Sequence, residues 1–395
     1  MHLKLAKAAA RVAAASAVVA ASGLGFAQAA MAKPATSGIN VPCSADALAS
    51  AISGNTGGET LSLTKFCVYK LPGALPNITE NLTIDGNQTT IERSYASDTS
   101  YFSIFYVPDD VSLVLNQVNV RNGDTDDDYG GAIDNADGSV TVNGGTFSDN
   151  TSSYAGGAIY NEASLMVSGA TFTDNSAPDY GGAIENTDDA LVTGSTFTGN
   201  STGGKGGAIY VDGHTAVADS NFTSNSAEHG GGIYAADDGE TFAVTGSGFY
   251  QNTASGHGGG IDNGDDDMTL TGGGFYQNTA YQGGGIYNYH DMTVDGATFH
   301  MNAASDEGGG IYSEYDVALN GDTIQQNSAE WGGGYYNTSH GTVHVTDGQI
   351  VSNTATEGGG GIYNDDGYVT LTTTSVINNI PDNCEPVNTI SGCTD

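Results

Sequence analysis

The chain has 395 residues, of which 59 are glycine, and it carries a formal net charge of −37 at pH 7. A hydrophobic content of 38% is too high for a disordered chain, yet this much glycine is unusual in an ordinary globular domain, which indicates a repetitive fold. The acidity excludes nucleic acid as a partner, because such binding depends on cationic neutralisation of phosphates, and it disfavours anionic lipids and polyanionic substrates.

Residues 1–32 have the composition of an export signal. Three basic residues precede an alanine-rich apolar run over residues 12–30, which ends in two A-x-A sites. We predict that this signal is removed and that the protein is secreted and extracellular. A permanent transmembrane anchor is the alternative, but the run is interrupted by Ser and Gly, and no second apolar run of spanning length follows, so we expect no membrane insertion.

Residues 33–58 are predicted to form an N-terminal linker and cap. The segment SADALASAISG places Ser44 at an N-cap position and spaces Leu48 and Ile52 about one helical turn apart. A short helix here would cover the unpaired strand edges at the end of a stacked fold. Residues 59–121 contain TLSL, ITENLTIDG and VSLVLNQVNV, which we interpret as degenerate opening coils.

Residues 122–379 contain ten copies of a repeat that carries two motifs. The first motif, of the GGAI or GGGI type, ends at Ile133, Ile159, Ile184, Ile209, Ile233, Ile261, Ile286, Ile311, Tyr335 and Ile362, in steps of 24 to 28 residues. The second motif places an apolar residue three positions before an asparagine, as in Phe147 and Asn150, and keeps the same step. Two motifs that share one period predict a solenoid.

Between the motifs lie stretches such as VTVNGGTF and MTVDGATF, which alternate apolar and polar residues as strands do. About 25 residues can supply three short strands and three turns, so we predict an all-β fold built as a single parallel β-helix. The Ile and Phe columns are expected to point inward. The position two after the Ile column should form a ladder of hydrogen-bonded amides, from Asn135, Asn161, Asn186, Asn263, Asn288, Asn337 and Asn364.

Four cysteines fit an oxidising compartment. They lie at the two ends of the chain, Cys43 and Cys67 near the start, and Cys384 and Cys393 in a predicted C-terminal cap over residues 380–395. We predict pairing within each end, because it closes short local loops and needs no reversal of the chain across the whole protein.

The paired GGAI and FxxN motifs resemble the repeats of chlamydial polymorphic outer-membrane proteins. The whole chain resembles the secreted right-handed parallel β-helix repeat proteins of actinobacteria, within the pectin-lyase-like superfamily. This resemblance implies a right-handed coil. Chlamydial members act as adhesins through a passenger on a carboxy-terminal membrane barrel; we find no such segment here and do not expect autotransport.

A carboxylate occurs three to five residues after the Ile column in nine of the ten coils. One interpretation is a solvated turn that uses Asp for its turn chemistry. The other is a ridge that binds divalent cations, since oxygen ligands at this density suit calcium. No cofactor is certain, and the candidate calcium ligands are Asp237, Asp238, Asp265, Asp266, Asp267 and Asp291.

Fragments of a catalytic site also occur. Polygalacturonase-like members of the superfamily use an NTD motif, an aspartate pair, a GHG histidine and an RIK motif. This sequence has Asn186-Thr187-Asp188, Gly256-His257-Gly258 and Asp265-Asp266, but in a different order, and no Lys or Arg follows Lys205. We interpret the fragments as coincidence and assign no catalytic residue, while a neutral-glycan hydrolase with two carboxylates stays open.

Two further columns are candidate binding surfaces. The position after the Ile column is predicted to form an exposed aromatic stripe of Tyr160, Tyr210, Tyr234, Tyr287, Tyr312, Tyr336 and Tyr363. It would serve as a platform for sugar rings or a protein partner, or its rings would merely stack and shield the sheet. Four residues before the Ile column, His229 and His257 share one offset in successive coils, as a metal or pH-sensing pair or as solvent-exposed loop residues.

We therefore predict a monomeric, non-catalytic β-helix that binds an extracellular glycan or a surface protein through its tyrosine stripe. The alternative is a polysaccharide lyase or glycoside hydrolase of the same fold. A third possibility is a calcium-stabilised structural wall protein.

Overall fold

The structure is a computed structural model. Its described part confirms a right-handed parallel β-helix, of about 14 turns, with almost no helix. The predicted export signal lies outside the described residues. The structure describes residues 38–96, 99–236, 241–264, 267–386 and 390–394.

Most coils contribute two strands to a large parallel sheet. The alternating stretches form these strands, with their apolar residues directed into the coil. Among the described residues this sheet has 25 strands. They are Ile39–Val41, Glu59–Leu63, Val68–Leu71, Leu82–Arg93, Ser112–Arg121, Ser139–Asn143, Thr146–Ser148, Ser164–Ser168, Thr171–Thr173, Ala190–Thr193, Thr196–Thr198, Thr215–Ala218, Asn221–Thr223, Thr241–Thr245, Gly248–Tyr250, Asp267–Thr271, Gly274–Tyr276, Met292–Asp295, Thr298–His300, Val317–Asn320, Thr323–Gln325, Thr342–Thr346, Gln349–Val351, Tyr368–Thr372 and Ser375–Ile377.

Two smaller sheets close each coil. The first, which we call the Ile sheet, contains the Ile column: Phe105–Val107, Ile133–Asn135, Ile159–Asn161, Ile184–Asn186, Ile209–Val211, Ile233–Ala235, Ile261–Asn263, Ile286–Asn288, Ile311–Ser313, Tyr335–Asn337, Ile362–Asn364 and Cys384–Glu385. The second has strands that are mostly of two residues and lengthen toward the C-terminal end: Ser176–Ala177, Ser201–Thr202, Ser226–Ala227, Thr253–Ala254, Thr279–Ala280, Ala303–Ala304, Ser328–Trp331 and Thr354–Gly358.

The predicted columns lie one above another. Ile233 pairs in register with Ile261, which pairs with Ile286, and all three are fully buried. The Phe column stacks in the same way, with ring centroids 4.8 Å apart between Phe197 and Phe222. Each buried side chain of this size stabilises the fold by roughly 1.5–3 kcal/mol, so the two columns form much of the core.

The asparagines of the second motif form a continuous ladder, whereas those after the Ile column form shorter runs that other residues interrupt. The amide of Asn161 donates to the side-chain oxygen of Asn186 at 2.6 Å. In the second motif, the amide of Asn252 donates to Asn278 Oδ1 at 3.0 Å and to the backbone oxygen of Phe222 at 3.0 Å. The residue before this ladder, Gln251, adopts a positive φ of 56° and turns the chain into the next strand. The sequence did not predict that feature.

The glycines before the Ile column provide close contact between coils. Gly258 has a φ of +62°, a conformation that other residues rarely adopt. A Cβ on Gly259 would lie 2.3 Å from the backbone oxygen of Gly284 in the next coil. The glycines of the GGAI and GGGI motifs are therefore required by the close spacing of successive coils.

A short helix lies near the N-terminal end, as predicted, whereas the C-terminal cap stays a prediction. The helix Ala45–Ser53 begins after Ser44, whose side chain accepts a hydrogen bond from the Ala47 amide at 3.3 Å, and it buries Leu48 and Ile52. The disulfides are Cys43–Cys67 and Cys384–Cys393, so pairing within each end is confirmed. Within the described ranges, no helix combines the length and the apolar character needed to traverse a bilayer.

Candidate functional site

The tyrosine column lies on the outer side of the Ile sheet. Tyr287 pairs in register with Tyr312, which pairs with Tyr336. Their rings stack, with centroids 4.7 Å and 5.2 Å apart. The predicted alignment of these side chains is therefore present.

The expectation that this column is exposed is wrong for most of its members. Tyr287 exposes only 7% of its surface. Five tyrosines are buried, Tyr160, Tyr210, Tyr287, Tyr312 and Tyr336, and two are half-buried, Tyr234 and Tyr363. A column whose rings are already in contact cannot offer a continuous open platform to a sugar chain.

The burial has a specific cause. In several coils the residue four positions before the Ile column folds over the tyrosine of the following coil. His257 stacks on Tyr287 with centroids 4.2 Å apart, and Tyr129 stacks on Tyr160 at 4.3 Å. We call this set the covering column: Tyr129, Tyr180, Lys205, His229, His257, Gln282, Glu307 and Trp331.

Acidic residues interrupt the tyrosine column in three coils. Asp134 lies between Tyr106 and Tyr160, and Glu185 and Asp262 take equivalent places further along. All three are buried; Asp262 exposes only 2%. These acids were not among the predicted site residues, although the motifs GGAIDN, GGAIEN and GGGIDN place an acid where other coils have tyrosine.

Burial changes the ionisation of two of these acids. Desolvation, reinforced by the negative charges of Asp128 and Glu162, raises the pKa of Asp134 to about 7. Desolvation together with Asp212 and Glu162 raises the pKa of Glu185 to about 8. The Oε2 atom of Glu185 is buried without a hydrogen-bond partner among the described residues. These carboxyl groups are therefore stabilised in their protonated forms.

At Asp262 the missing ring leaves an open depression of about 290 Å³. Tyr234 and Tyr287, the neighbours of Asp262 in the column, line it from the two adjacent strands. Gly264 keeps it open, because a Cβ there would lie 2.8 Å from the Tyr234 hydroxyl. The remaining lining residues are Lys205, His229, His257 and Tyr289.

Lys205 is the last basic residue of the chain, and it lies at this depression. Its Nζ atom donates to the Tyr234 hydroxyl at 2.9 Å and lies 4.3 Å from the centre of that ring. It thus covers Tyr234 as His257 covers Tyr287. A half-buried cation in so acidic a protein gives the depression a mixed electrostatic character.

The structure brings the predicted histidine pair together with Asp262. The rings of His229 and His257 are 4.8 Å apart and nearly perpendicular. His229 Nδ1 lies 3.3 Å from Asp262 Oδ2. Burial lowers the pKa of His257, against the opposing effect of the nearby Asp262 carboxylate. The pair is therefore half-buried, and the expectation of solvent-exposed loop residues does not describe it.

The acidic ridge is only partly described. Asp237, Asp238, Asp265 and Asp266 lie outside the described residues. Desolvation and the carboxylates of Asp316 and Asp267 raise the pKa of Asp291, as expected for close carboxylates in successive coils. His290 Nδ1 lies 3.0 Å from Asp267 Oδ1. Calcium binding by this ridge stays a prediction.

The NTD fragment has a structural role at its first residue. Asn186 is fully buried, and its amide donates to the backbone oxygen of Asp188 and to Thr215 Oγ1. These bonds complete the asparagine ladder at a turn. They agree with the interpretation of this fragment as a coincidence.

The Chlamydia polymorphic membrane protein repeat matches residues 144–162, 169–187, 194–212 and 219–236. No curated protein and no solved structure matches the chain. The matched stretches cover only part of the repeat region, and the extracellular location of this chain stays a prediction. Lys205 and His229 lie within the matched stretches, whereas His257 and Asp262 lie after them.

Proposed function

We propose that this chain is a non-catalytic binding protein of the cell surface or the extracellular space, and that the depression at Asp262 binds one sugar residue of a neutral glycan. The break in the tyrosine column at Asp262 carries this proposal. Of the three interruptions in the described part of the column, it is the one at which two histidines, a lysine and three tyrosines line an open volume.

The size and the lining of the depression suit a sugar. Its volume of about 290 Å³ is near the lower end of the roughly 300–1,000 Å³ typical of ligand sites, enough for a single residue. Tyr289 is 39% exposed at its edge and supplies a flat apolar surface with a polar tip. Asp262 and the Lys205 ammonium supply polar groups that could bond sugar hydroxyls.

The charge of the protein selects among glycans. With a net charge of −37, the protein repels polyuronates and sulfated chains over long range. One ammonium group near the depression does not reverse that field. We therefore expect neutral sugars to bind in preference to acidic ones.

A glycan array probed with the purified protein tests the proposal. Replacement of Asp262 by Tyr should fill the gap with a ring, as in the unbroken part of the column, and reduce binding at least about tenfold. Glu185→Tyr is the matched control, because it fills another acidic gap that lies outside the depression. Tyr289→Ala and Lys205→Ala should weaken binding without refilling the gap.

Three results would overturn this proposal or one part of it. If Asp262→Tyr and Glu185→Tyr bind the same glycan as well as the wild type, the depression is not the binding site. Release of reducing sugar from a bound glycan would replace the non-catalytic function with the hydrolase or lyase alternative. Binding of a surface protein without any glycan signal would leave the location intact and refute the sugar ligand.

A further inference from the structure

We propose that His229, His257 and Asp262 form a binding site for a divalent transition-metal ion of the zinc type. The three side chains each offer one ligand atom, and these atoms lie within 4.8 Å of one another. Two come from one coil and the third from the coil before it. The site therefore exists only because the coils stack with the observed register.

The donor set selects the class of metal. Two imidazoles and one carboxylate suit zinc and its first-row neighbours, whereas calcium and magnesium prefer oxygen ligands alone. Zinc bonds of about 2.0–2.2 Å bring tetrahedral ligands to roughly 3.4 Å from one another. His229 Nδ1 and Asp262 Oδ2 are already 3.3 Å apart. The ligand atoms that are still up to 4.8 Å apart must approach by about 1.4 Å to reach that spacing.

His229 Nδ1 lies beside both a hydrogen-bond donor and a carboxylate, and a cation bound to it would take the place of the donor. The backbone amide of His257 points at His229 Nδ1, with a nitrogen–nitrogen distance of 3.4 Å. The same Nδ1 atom faces Asp262 Oδ2. One ring nitrogen cannot accept from the amide and donate to the carboxylate at once, so each tautomer leaves one contact unsatisfied.

The Asp262 carboxylate is buried and is therefore stabilised by a positively charged partner. The Asp262 side chain is 3% exposed, and a buried carboxylate is stabilised by pairing or by metal coordination. The nearby ammonium of Lys205 is engaged by the Tyr234 hydroxyl at 2.9 Å. A metal ion between Asp262 and the imidazoles would compensate the charge directly.

The surroundings also hold the ligands in place. Tyr287 stacks on the His257 ring with an interplanar angle of 14°, and its hydroxyl donates to Glu314 at 2.9 Å. Three protein ligands leave the fourth position of a tetrahedral ion open toward the depression. This inference goes beyond the proposed glycan binding and does not depend on it.

Isothermal titration calorimetry of chelator-stripped protein with zinc sulfate tests the site, in buffer with excess calcium to saturate any oxygen-ligand sites. We expect one zinc ion per chain. His229→Asn, His257→Gln and Asp262→Asn should each weaken binding by more than about tenfold, because even loss of a group that only supports a ligand costs 10–100-fold. Circular dichroism checks that each variant is folded, and absorption of the cobalt-loaded protein reports tetrahedral coordination in the wild type.

His290→Asn is the matched control. His290 Nδ1 lies 3.0 Å from Asp267 Oδ1, so this pair has one imidazole and one carboxylate where the proposed zinc site has two imidazoles and one carboxylate. This variant should leave zinc affinity unchanged. The proposal is refuted if the wild type binds no zinc, if the three ligand variants keep full affinity, or if His290→Asn loses as much. Lys205→Ala separates the two proposals, because it should lose glycan binding and retain zinc.

Discussion

The imidazole of His257 lies flat on the ring of Tyr287, one coil further along the helix, with centroids 4.2 Å apart and planes inclined by 14°. This contact explains why Tyr287 is buried although it points away from the core. It also fixes one wall of the depression at Asp262. Each of these consequences can be measured.

Removal of the covering ring should destabilise the protein. We expect His257→Ala to lower the free energy of unfolding by about 1 kcal/mol, because a stacked aromatic pair contributes roughly 0.5–1.5 kcal/mol beyond its buried area. His257→Phe should restore most of the loss, since it keeps the stack. Urea unfolding measures both, and equal stabilities for the Ala and Phe variants would contradict the stacking argument.

The asparagine ladder should be costly to interrupt. Asn252→Ala removes an amide that donates to Asn278 Oδ1 and Phe222 O, and an oxygen that accepts from Asn225. Each buried polar group left without a partner costs about 1–3 kcal/mol, so the loss should be several kcal/mol. Thermal unfolding measures it. Asn221→Ala, at an exposed position of the preceding coil, is the control and should change stability by less than about 0.5 kcal/mol.

Stability should fall as the pH rises from about 4 to 8. The folded-state pKa of Asp134 is raised to about 7 and that of Glu185 to about 8, above the ordinary values of unfolded chains. The native state thus binds more protons than the unfolded state in this window, and its extra stability is lost as these groups ionise. The slope is at most about 1.4 kcal/mol per pH unit for each group.

Glu185→Gln isolates that effect. The variant should flatten the pH dependence of the melting temperature and melt above the wild type at pH 8.5. Asp189→Asn is the control, because it also removes one acidic group but at an exposed position. Parallel curves for the wild type and Glu185→Gln would show that Glu185 is not responsible.

The N-terminal disulfide should protect the opening coils. Cys43–Cys67 closes a loop with a sequence separation of 24 residues, which in the chain-entropy model is worth about 3 kcal/mol. The double variant Cys43→Ser/Cys67→Ser should therefore speed hydrogen exchange in the strand Glu59–Leu63. Exchange in the central strand Ile261–Asn263 should not change. Uniform acceleration along the chain would argue against local protection.

The calcium prediction can be tested on the described part of the acidic ridge. If Asp267, Asp291 and Asp316 share calcium, millimolar calcium should raise the melting temperature and a chelator should lower it, because a ligand that binds only the folded state stabilises it. Asp291→Asn should reduce that shift. A melting temperature that does not change with calcium would refute the hypothesis of a calcium-stabilised structural wall protein.

The stacking of the coils was predictable because one period governs every inward position. Ile233, Ile261 and Ile286 sit at equal offsets in the motif, and the structure pairs them in register. The amide ladders follow from the same period, since identical side chains one rung apart must meet. The cysteine pairing was predictable from loop length alone.

The candidate site was less accessible to such reasoning. Alternation along a strand correctly directs Tyr287 outward, but it does not show that His257, thirty residues earlier in sequence, folds across the ring. That contact joins different offsets in different coils, so no single column of the repeat reveals it. Asp262 was not predicted because it is an acid at a position where most other coils have tyrosine.

Each covering residue and the ring that it covers belong to successive coils, and this offset of one coil limits how the protein can evolve. Several outward rings are covered by a residue of the preceding coil, as Tyr160, Tyr234 and Tyr287 are, so duplication or deletion of one coil would put new neighbours into contact at the junction. A change in the number of coils therefore also changes the chemistry of this surface. A protein that gains a coil needs a new pair of covering residue and ring at the junction.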